Sequence, residues 1–272
     1  MLARRAEVVV FQTERRGHAV ELADQAAGSA DAVVVFSGDG TYNEAINGAA
    51  GRIAFGFLPG GGASVFPRAL GLPRDPVEAA ARVGEALDAQ RTTSIGLGRV
   101  NGRRFCFSAG IGLDAEAVRR VEEHGRDRDG RRASNAFFAA TVVGVFVRRH
   151  LRIPEQLEVD GFGRASMLFV ANGRPYTYAG PFPVMIAGEA DFGAGLDFVA
   201  PGEVSPRSLP GLAVRGIRGT LGGDPRVHAA HDIDELHVRC DRPLPLQADG
   251  EDLGDVVEAH FEAERNALDV LL

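Results

Sequence analysis

The chain has 272 residues, of which 45% are hydrophobic and 7% aromatic, and carries a formal net charge of −7. That supplies core for one large domain or two ordinary ones, and the acidic balance excludes the basic footprint of a general nucleic-acid binder. All 30 basic residues are arginine, which excludes a P-loop, whose lysine reaches the phosphates, and Schiff-base chemistry.

The N-terminal MLARRAEVVVFQ holds an apolar run too short for a signal-peptide core. The longest apolar run, AFFAATVVGVFV at Ala136–Val147, falls well under the ~20 residues of a membrane span. The chain reads as cytoplasmic, and its two cysteines, Cys106 and Cys240, read as buried free thiols of a reducing compartment.

Along the first third, apolar runs and helix-patterned runs alternate. EVVVF at Glu7–Phe11 reads as strand, HAVELADQAA as helix, AVVVF as strand, TYNEAINGAA as helix and IAFGFL as strand. SVFPRALGL and PVEAAARVGEALDA follow as helices. Continuous apolar strands separated by helices indicate a parallel sheet covered on both faces. Near Thr92 the character changes. TTSIGLGRV and RRFCFSAG flank Asn101-Gly102, a hairpin signal. From Gln156 short strand-like runs dominate (QLEVD, ASMLFVAN, LDFVA, ELHVRC, LPLQAD, VVEAHF), with PRSLPGLAVRGIRG as a helix. The expected fold class is α/β plus all-β: a Rossmann-like parallel-sheet domain over residues 1–92, with 266–272 returning to it, then an antiparallel β-sandwich domain over 93–272. The charged Glu122–Arg132 reads as a mobile loop.

The chemistry-bearing stretch is SGDGTYNEAING, beginning at Ser37. A glycine-rich turn between a buried strand and a helix N-terminus offers backbone N–H groups and a positive dipole end, the makings of an anion site. Asp39, between Gly38 and Gly40, would repel a phosphate unless a cation sits between them, which suggests a phosphate carried with Mg²⁺. On that reading its charge serves a metal rather than the fold. The plainer alternative is a turn with Thr41 and Glu44 as a capping box. A second glycine turn, PGGGASVFPR from Pro59, follows the next strand; in a parallel sheet both turns would lie at the carboxyl edge, where ligands bind. AGIGLDAEAV, from Ala109, mimics a dinucleotide fingerprint, but its strand is half of a predicted hairpin. Near the C-terminus, Asp249-Gly250-Glu251 is either a hairpin turn or a source of a general base for a hydroxyl. The seven histidines show no metal-ligand spacing.

SGDGTYNEAING followed by AFGFLPGGGASVFPRALGLP resembles the diacylglycerol kinase catalytic family, which includes bacterial lipid kinases and sphingosine kinases. AGIGLDAEAV, FGAGLDF and LQADGE match its later segments in order. The resemblance implies a kinase that moves the γ-phosphoryl of ATP, with Mg²⁺, to the hydroxyl of a lipid alcohol, most readily diacylglycerol. It implies that Thr13, Ser37, Gly38, Asp39, Gly40, Thr41, Asn43, Glu44, Gly61 and Gly62 meet the nucleotide. Glu251 matches the catalytic carboxylate and Asp249 its partner, while Asp191 and Leu196 match metal-holding positions. The chain departs from the family at Gly62 and Ser64, where Thr and Asn are usual, and at Ala194, where Asp is usual. The family opens with a strand–turn–helix unit, and Glu7–Thr13 matches its second strand, so the resemblance implies such a unit ahead of Met1. The active site is expected in a cleft between the two domains. The partners expected are the lipid alcohol and a membrane surface touched peripherally, with no nucleic acid and with a homodimer left open. Nine arginines against four acids between Arg119 and Arg152, around the apolar run, would meet anionic head groups. The alternatives are an NAD kinase-like enzyme, which shares the Gly-Asp-Gly turn, and a catalytically inactive lipid-binding homologue.

Overall fold

The computed structural model describes residues 2–62, 64–123, 152–179 and 182–272, together with Thr141, Gly144 and Arg148. The charged stretch beyond Glu123 and, apart from Thr141 and Gly144, the apolar segment Ala136–Val147 lie outside the described residues. Two compact units form: Met1–Leu97 with Arg265–Leu272, and Gly98–Glu264.

In the first unit, α1 (His18–Ala26) leads into β1 (Ala32–Ser37), α2 (Asp39–Ala49) and β2 (Ala54–Pro59); α3 (Val65–Ala69) and α4 (Pro76–Asp88) follow. β1 and β2 are parallel, with Ser37 opposite Pro59, and Val270 of the returning C-terminal strand pairs with Phe55, also parallel. α4 starts where the Asp75 carboxylate accepts from Val77 N at 2.8 Å and Glu78 N at 3.0 Å, a side-chain cap worth about 1 kcal/mol. The core is aromatic: the Phe57 ring lies 5.3 Å from Tyr42 and 5.0 Å from Phe66, both edge-on, and stacks on Phe55 at 5.9 Å. Such pairs add about 0.5–1.5 kcal/mol each beyond their buried area.

The expected strand at Glu7–Phe11 is absent. Val8, Val9, Val10 and Phe11 are exposed, and among the described residues no strand pairs with them and β1, the nearest candidate in sequence, pairs with β2 alone. A β-rich sequence becomes a strand only where a partner supplies the ladder. The capping-box reading also fails: α2 begins at Asp39 with Gly38 as its N-cap, so Thr41 is already helical and its Oγ1 accepts from the Ser37 hydroxyl at 2.9 Å.

The second unit is antiparallel β. β3 (Thr92–Val100) enters it at Gly98 and turns at Asn101-Gly102, both with positive φ (47° and 85°), into β4 (Arg103–Phe105). That is the twist a two-residue hairpin prefers. The chain breaks at Cys106–Phe107, so the single second strand expected there is two, β4 and β5 (Ser108–Ile111). After α5 (Leu113–Glu123) come β6 (Leu157–Val159), β7 (Gly163–Ala165), β8 (Leu168–Ala171), β9 (Thr177–Ala179), β10 (Phe182–Val184) and β11 (Leu196–Pro201). Then follow α6 (Leu209–Arg218), β12 (Val227–Ile233), β13 (Glu235–Ala248) and β14 (Glu251–Leu271), the last leaving the unit after Glu264. The central order is β14-β13-β5-β8-β11-β12. ELHVRC and LPLQAD are one strand, not two: β13 carries Pro243 and Pro245 through register shifts in its ladder with β14, where bulges tolerate proline. Its near half pairs with β6 and its far half with β5, around a core that includes Phe105, Ile111, Leu168, Phe198 and Phe261. β5 is antiparallel to both neighbours, which removes the parallel βαβ setting a dinucleotide fingerprint needs. Both cysteines are free; Cys106 is buried and Cys240 half-buried.

A carboxyl group is sealed in the core of this unit. Asp114, on α5, is buried and accepts from Gln247 Nε2 at 2.7 Å and from the Tyr176 hydroxyl. Burial pushes its carboxyl up to about 6 despite those two donors. The folded chain therefore holds a proton that the unfolded chain releases, so this group's contribution is full below about pH 4 and is lost as pH rises through about 6. The Asp114→Asn variant should lack that decline between pH 4 and 6 when urea midpoints are compared with wild type across the range. Parallel profiles would contradict it.

Gly98 lies opposite Phe105, and a β-carbon at Gly98 would stand 2.1 Å from that buried ring. Gly98→Ala should therefore cost about 1–3 kcal/mol in denaturant unfolding. Adding Phe105→Leu, which shortens the opposing side chain, should recover part of the loss; strict additivity would argue against the clash.

Candidate active site

In the first unit, the two glycine turns sit side by side because β1 and β2 are parallel and end together. Gly60 N donates to Ser37 O at 2.7 Å, and a β-carbon at Gly61 would be 2.8 Å from Gly38 Cα. Only glycine lets the two backbones approach so closely. The Tyr42 hydroxyl lies 2.5 Å from the Ser37 carbonyl oxygen and 2.7 Å from that of Leu58, donating its proton where the two strands end. Burial raises its pKa, so the proton stays on.

Asp39 is buried, and both carboxylate oxygens are used by the fold: Oδ2 accepts from Val65 N at 3.0 Å and Oδ1 from Phe66 N at 2.9 Å. It caps α3, whose own N-cap Ser64 makes no side-chain cap bond. The expectation that this charge serves only a metal is corrected accordingly. A carboxylate is the hard oxygen donor that a hydrated Mg²⁺ takes one or two of, so the donor chemistry of Asp39 fits that ion.

The remaining residues of this half are spread unevenly. Gly40, Thr41, Asn43 and Glu44 lie on the first turns of α2; Asn43 is buried, with Asn47 Nδ2 donating to its carbonyl and its side-chain oxygen. Gly62 is exposed and open space surrounds it, so glycine is not sterically required there. Ser64 holds a left-handed backbone (φ 42°), which suits Asn better than Ser, and its Oγ donates to Gly61 O. Thr13 is in an exposed segment outside any helix or strand.

In the second unit, Asp249-Gly250 is the two-residue turn between β13 and β14, both residues at positive φ (50° and 75°). The Asp249 carboxylate is buried and accepts from Cys106 N at 2.6 Å, Phe107 N at 3.0 Å and Ser108 N at 3.2 Å. It fastens the turn to the break between β4 and β5. The Gln247 side-chain oxygen accepts from Gly250 N at 2.9 Å while its amide reaches Asp114. Glu251, the next residue, forms an ion pair with Arg103. Arg103 carried no signal in the sequence, since only folding brings it to the turn, whereas Gln247 stands two residues before Asp249 inside LQADGE. Asp191 is exposed and closes an Asx turn onto Gly193 N at 2.9 Å, and Leu196 is buried in the core with only backbone oxygen to offer. No set of three His, Cys, Asp or Glu side chains converges at Asp191 among the described residues. Nor is any described helix long and apolar enough to cross a membrane.

Comparison with known proteins adds an independent finding. Residues 1–100 match the family profile of the diacylglycerol kinase catalytic domain. A diacylglycerol kinase from Staphylococcus haemolyticus is 37% identical over 103 residues, 36% of this chain and 30% of that protein. A diacylglycerol kinase from Bacillus subtilis is 36% identical over 110 residues, 39% of this chain and 35% of the relative. The matches thus span roughly a third of these curated relatives. The solved structure of a diacylglycerol kinase from Bacillus anthracis superposes with a TM-score of 0.67 at 20% identity, covering 96% of this chain and 83% of that one, a likeness of fold. Over its first hundred residues, the stretch that carries both glycine turns, the chain is similar to the diacylglycerol kinase catalytic domain.

Proposed function

We propose that this protein is a lipid kinase that transfers the γ-phosphoryl group of ATP to the hydroxyl of a lipid alcohol, with diacylglycerol as acceptor, at the cytoplasmic face of a membrane. The observation that carries the reading is the backbone contact of Gly38 with Gly61 at the carboxyl ends of two parallel strands. Two glycine turns and a helix N-terminus meet there, the kind of backbone setting in which anions are bound. The residue types and the family match on the same stretch support it.

Phosphoryl transfer asks a protein for positioning and charge neutralisation more than for covalent chemistry. In this reading Ser37, Gly38, Gly40, Thr41, Asn43 and Glu44, with Thr13, Gly61 and Gly62, position the nucleotide. Asp39 would hold Mg²⁺, which neutralises phosphate charge when bound. Glu251 takes the proton of the acceptor hydroxyl, oriented by Arg103. Asp249 acts through the turn it fastens and not on the substrate. Asp191 and the Leu196 backbone are a weaker second place for a metal, since the Asp191 carboxylate is exposed and already closes a turn onto Gly193 N.

The reading is tested with purified protein, labelled ATP and mixed micelles. Label in phosphatidic acid is the expected result; label in NADP after addition of NAD identifies an NAD kinase-like enzyme, and lipid binding without label an inactive homologue. Asp39→Asn should abolish turnover and also lower stability by about 1–3 kcal/mol, because one N–H of α3 loses its acceptor. Full turnover at saturating Mg·ATP would remove Asp39 from the site. Glu251→Gln should lower kcat by roughly 10² or more with KM for ATP unchanged. An effect confined to KM would remove it from the role of base.

A further inference from the structure

β13 and β14 pair with Glu235 opposite Glu262 and His237 opposite His260. Leu236 and Phe261, between those pairs, point into the core. The four polar side chains therefore share the outer face. The two imidazoles stack, with centroids 4.0 Å apart and planes 13° from parallel. One ligand atom from each of Glu235, His237 and His260 lies within 4.8 Å of the others. His260 Nε2 is buried, makes no hydrogen bond, and lies 3.7 Å from Glu235 Oε2.

Two imidazoles and a carboxylate are the donor set of a borderline divalent ion, Zn²⁺ above all. Bonds of about 2.0–2.1 Å in tetrahedral geometry bring ligand atoms to about 3.3 Å, within reach of side chains that are exposed or half-exposed. Behind them the backbone is fixed. His237 O accepts from Asp160 N at 3.0 Å, while His260 N donates to Asn101 Oδ1 at 2.9 Å and His260 O accepts from Asn101 N at 3.0 Å. Glu262 Oε2 stands 3.9 Å from His260 Nδ1, so a carboxylate flanks the ring nitrogen that a metal at Nε2 would leave for an outer partner.

We propose that Glu235, His237 and His260 form a zinc site that clips β13 to β14. The site stands apart from the phosphoryl-transfer chemistry and does not depend on it. Binding of a metal to the folded chain alone stabilises that chain by mass action. The full-length protein, stripped with chelator and dialysed, is titrated with Zn²⁺ by calorimetry and with Co²⁺ by visible absorption. One ion per chain is expected, with d–d bands of tetrahedral intensity and a raised Tm. His237→Ala and His260→Ala should each weaken binding by at least about tenfold and abolish the Tm shift, and Glu235→Gln should weaken it. His228→Ala should change nothing. Absence of Zn²⁺ uptake overturns the proposal, as does uptake unchanged in both His237→Ala and His260→Ala.

Discussion

The buried carboxylate of Asp39 joins two pieces of chain that the glycine turns would otherwise leave independent. It stands on the first turn of α2 and accepts both leading N–H groups of α3. A short helix cannot satisfy those groups itself. A buried acid is an electrostatic cost; here two charge-assisted hydrogen bonds offset it. The spacing of the second glycine turn, the left-handed backbone at Ser64 and the seating of Phe66 against Phe57 all follow from that attachment.

The second unit solves a similar problem the same way. Asp249 is buried in a glycine turn and spends its oxygens on three consecutive N–H groups where β4 gives way to β5. A break in a ladder leaves donors that a low-dielectric core penalises. In both units an acid beside a glycine is first a fastener of backbone, and the residues around it inherit their positions from that bond. Gln247 extends the second fastening to Asp114 and Tyr176, so the turn before Glu251 is braced from behind by a polar chain inside the core.

The fold class was legible because it rests on local signals: apolar runs ending at glycines, helical spacing after them, and Asn101-Gly102 between two strand-like runs. What was not legible depends on partners distant in sequence. Glu7–Phe11 has strand propensity throughout and no strand beside it. ELHVRC and LPLQAD read as two strands, yet the ladder shifts register across Pro243 and Pro245 and β13 continues. At the candidate site the backbone component, two glycine turns at one edge, could be read, but the engagement of Asp39 by α3 could not, since nothing local marks a carboxylate whose donors lie 26 residues on. The histidines looked isolated for the same reason. His237 and His260 become neighbours only through the register of β13 on β14.

The closeness of Gly38 to Gly61 has an evolutionary side. A side chain at position 61 would meet the Gly38 backbone at 2.8 Å, and one at position 38 would meet Gly61 at 3.5 Å. Position 61 cannot gain a side chain without moving the Gly38 backbone, whereas a β-carbon at 38 would make an ordinary contact and Gly62, one residue further, faces open space. Substitutions in contact are where energies cease to add. The lip of the sheet is thus held by one glycine above the others, and descendants of this chain can explore side chains at 62 long before they can explore them at 61.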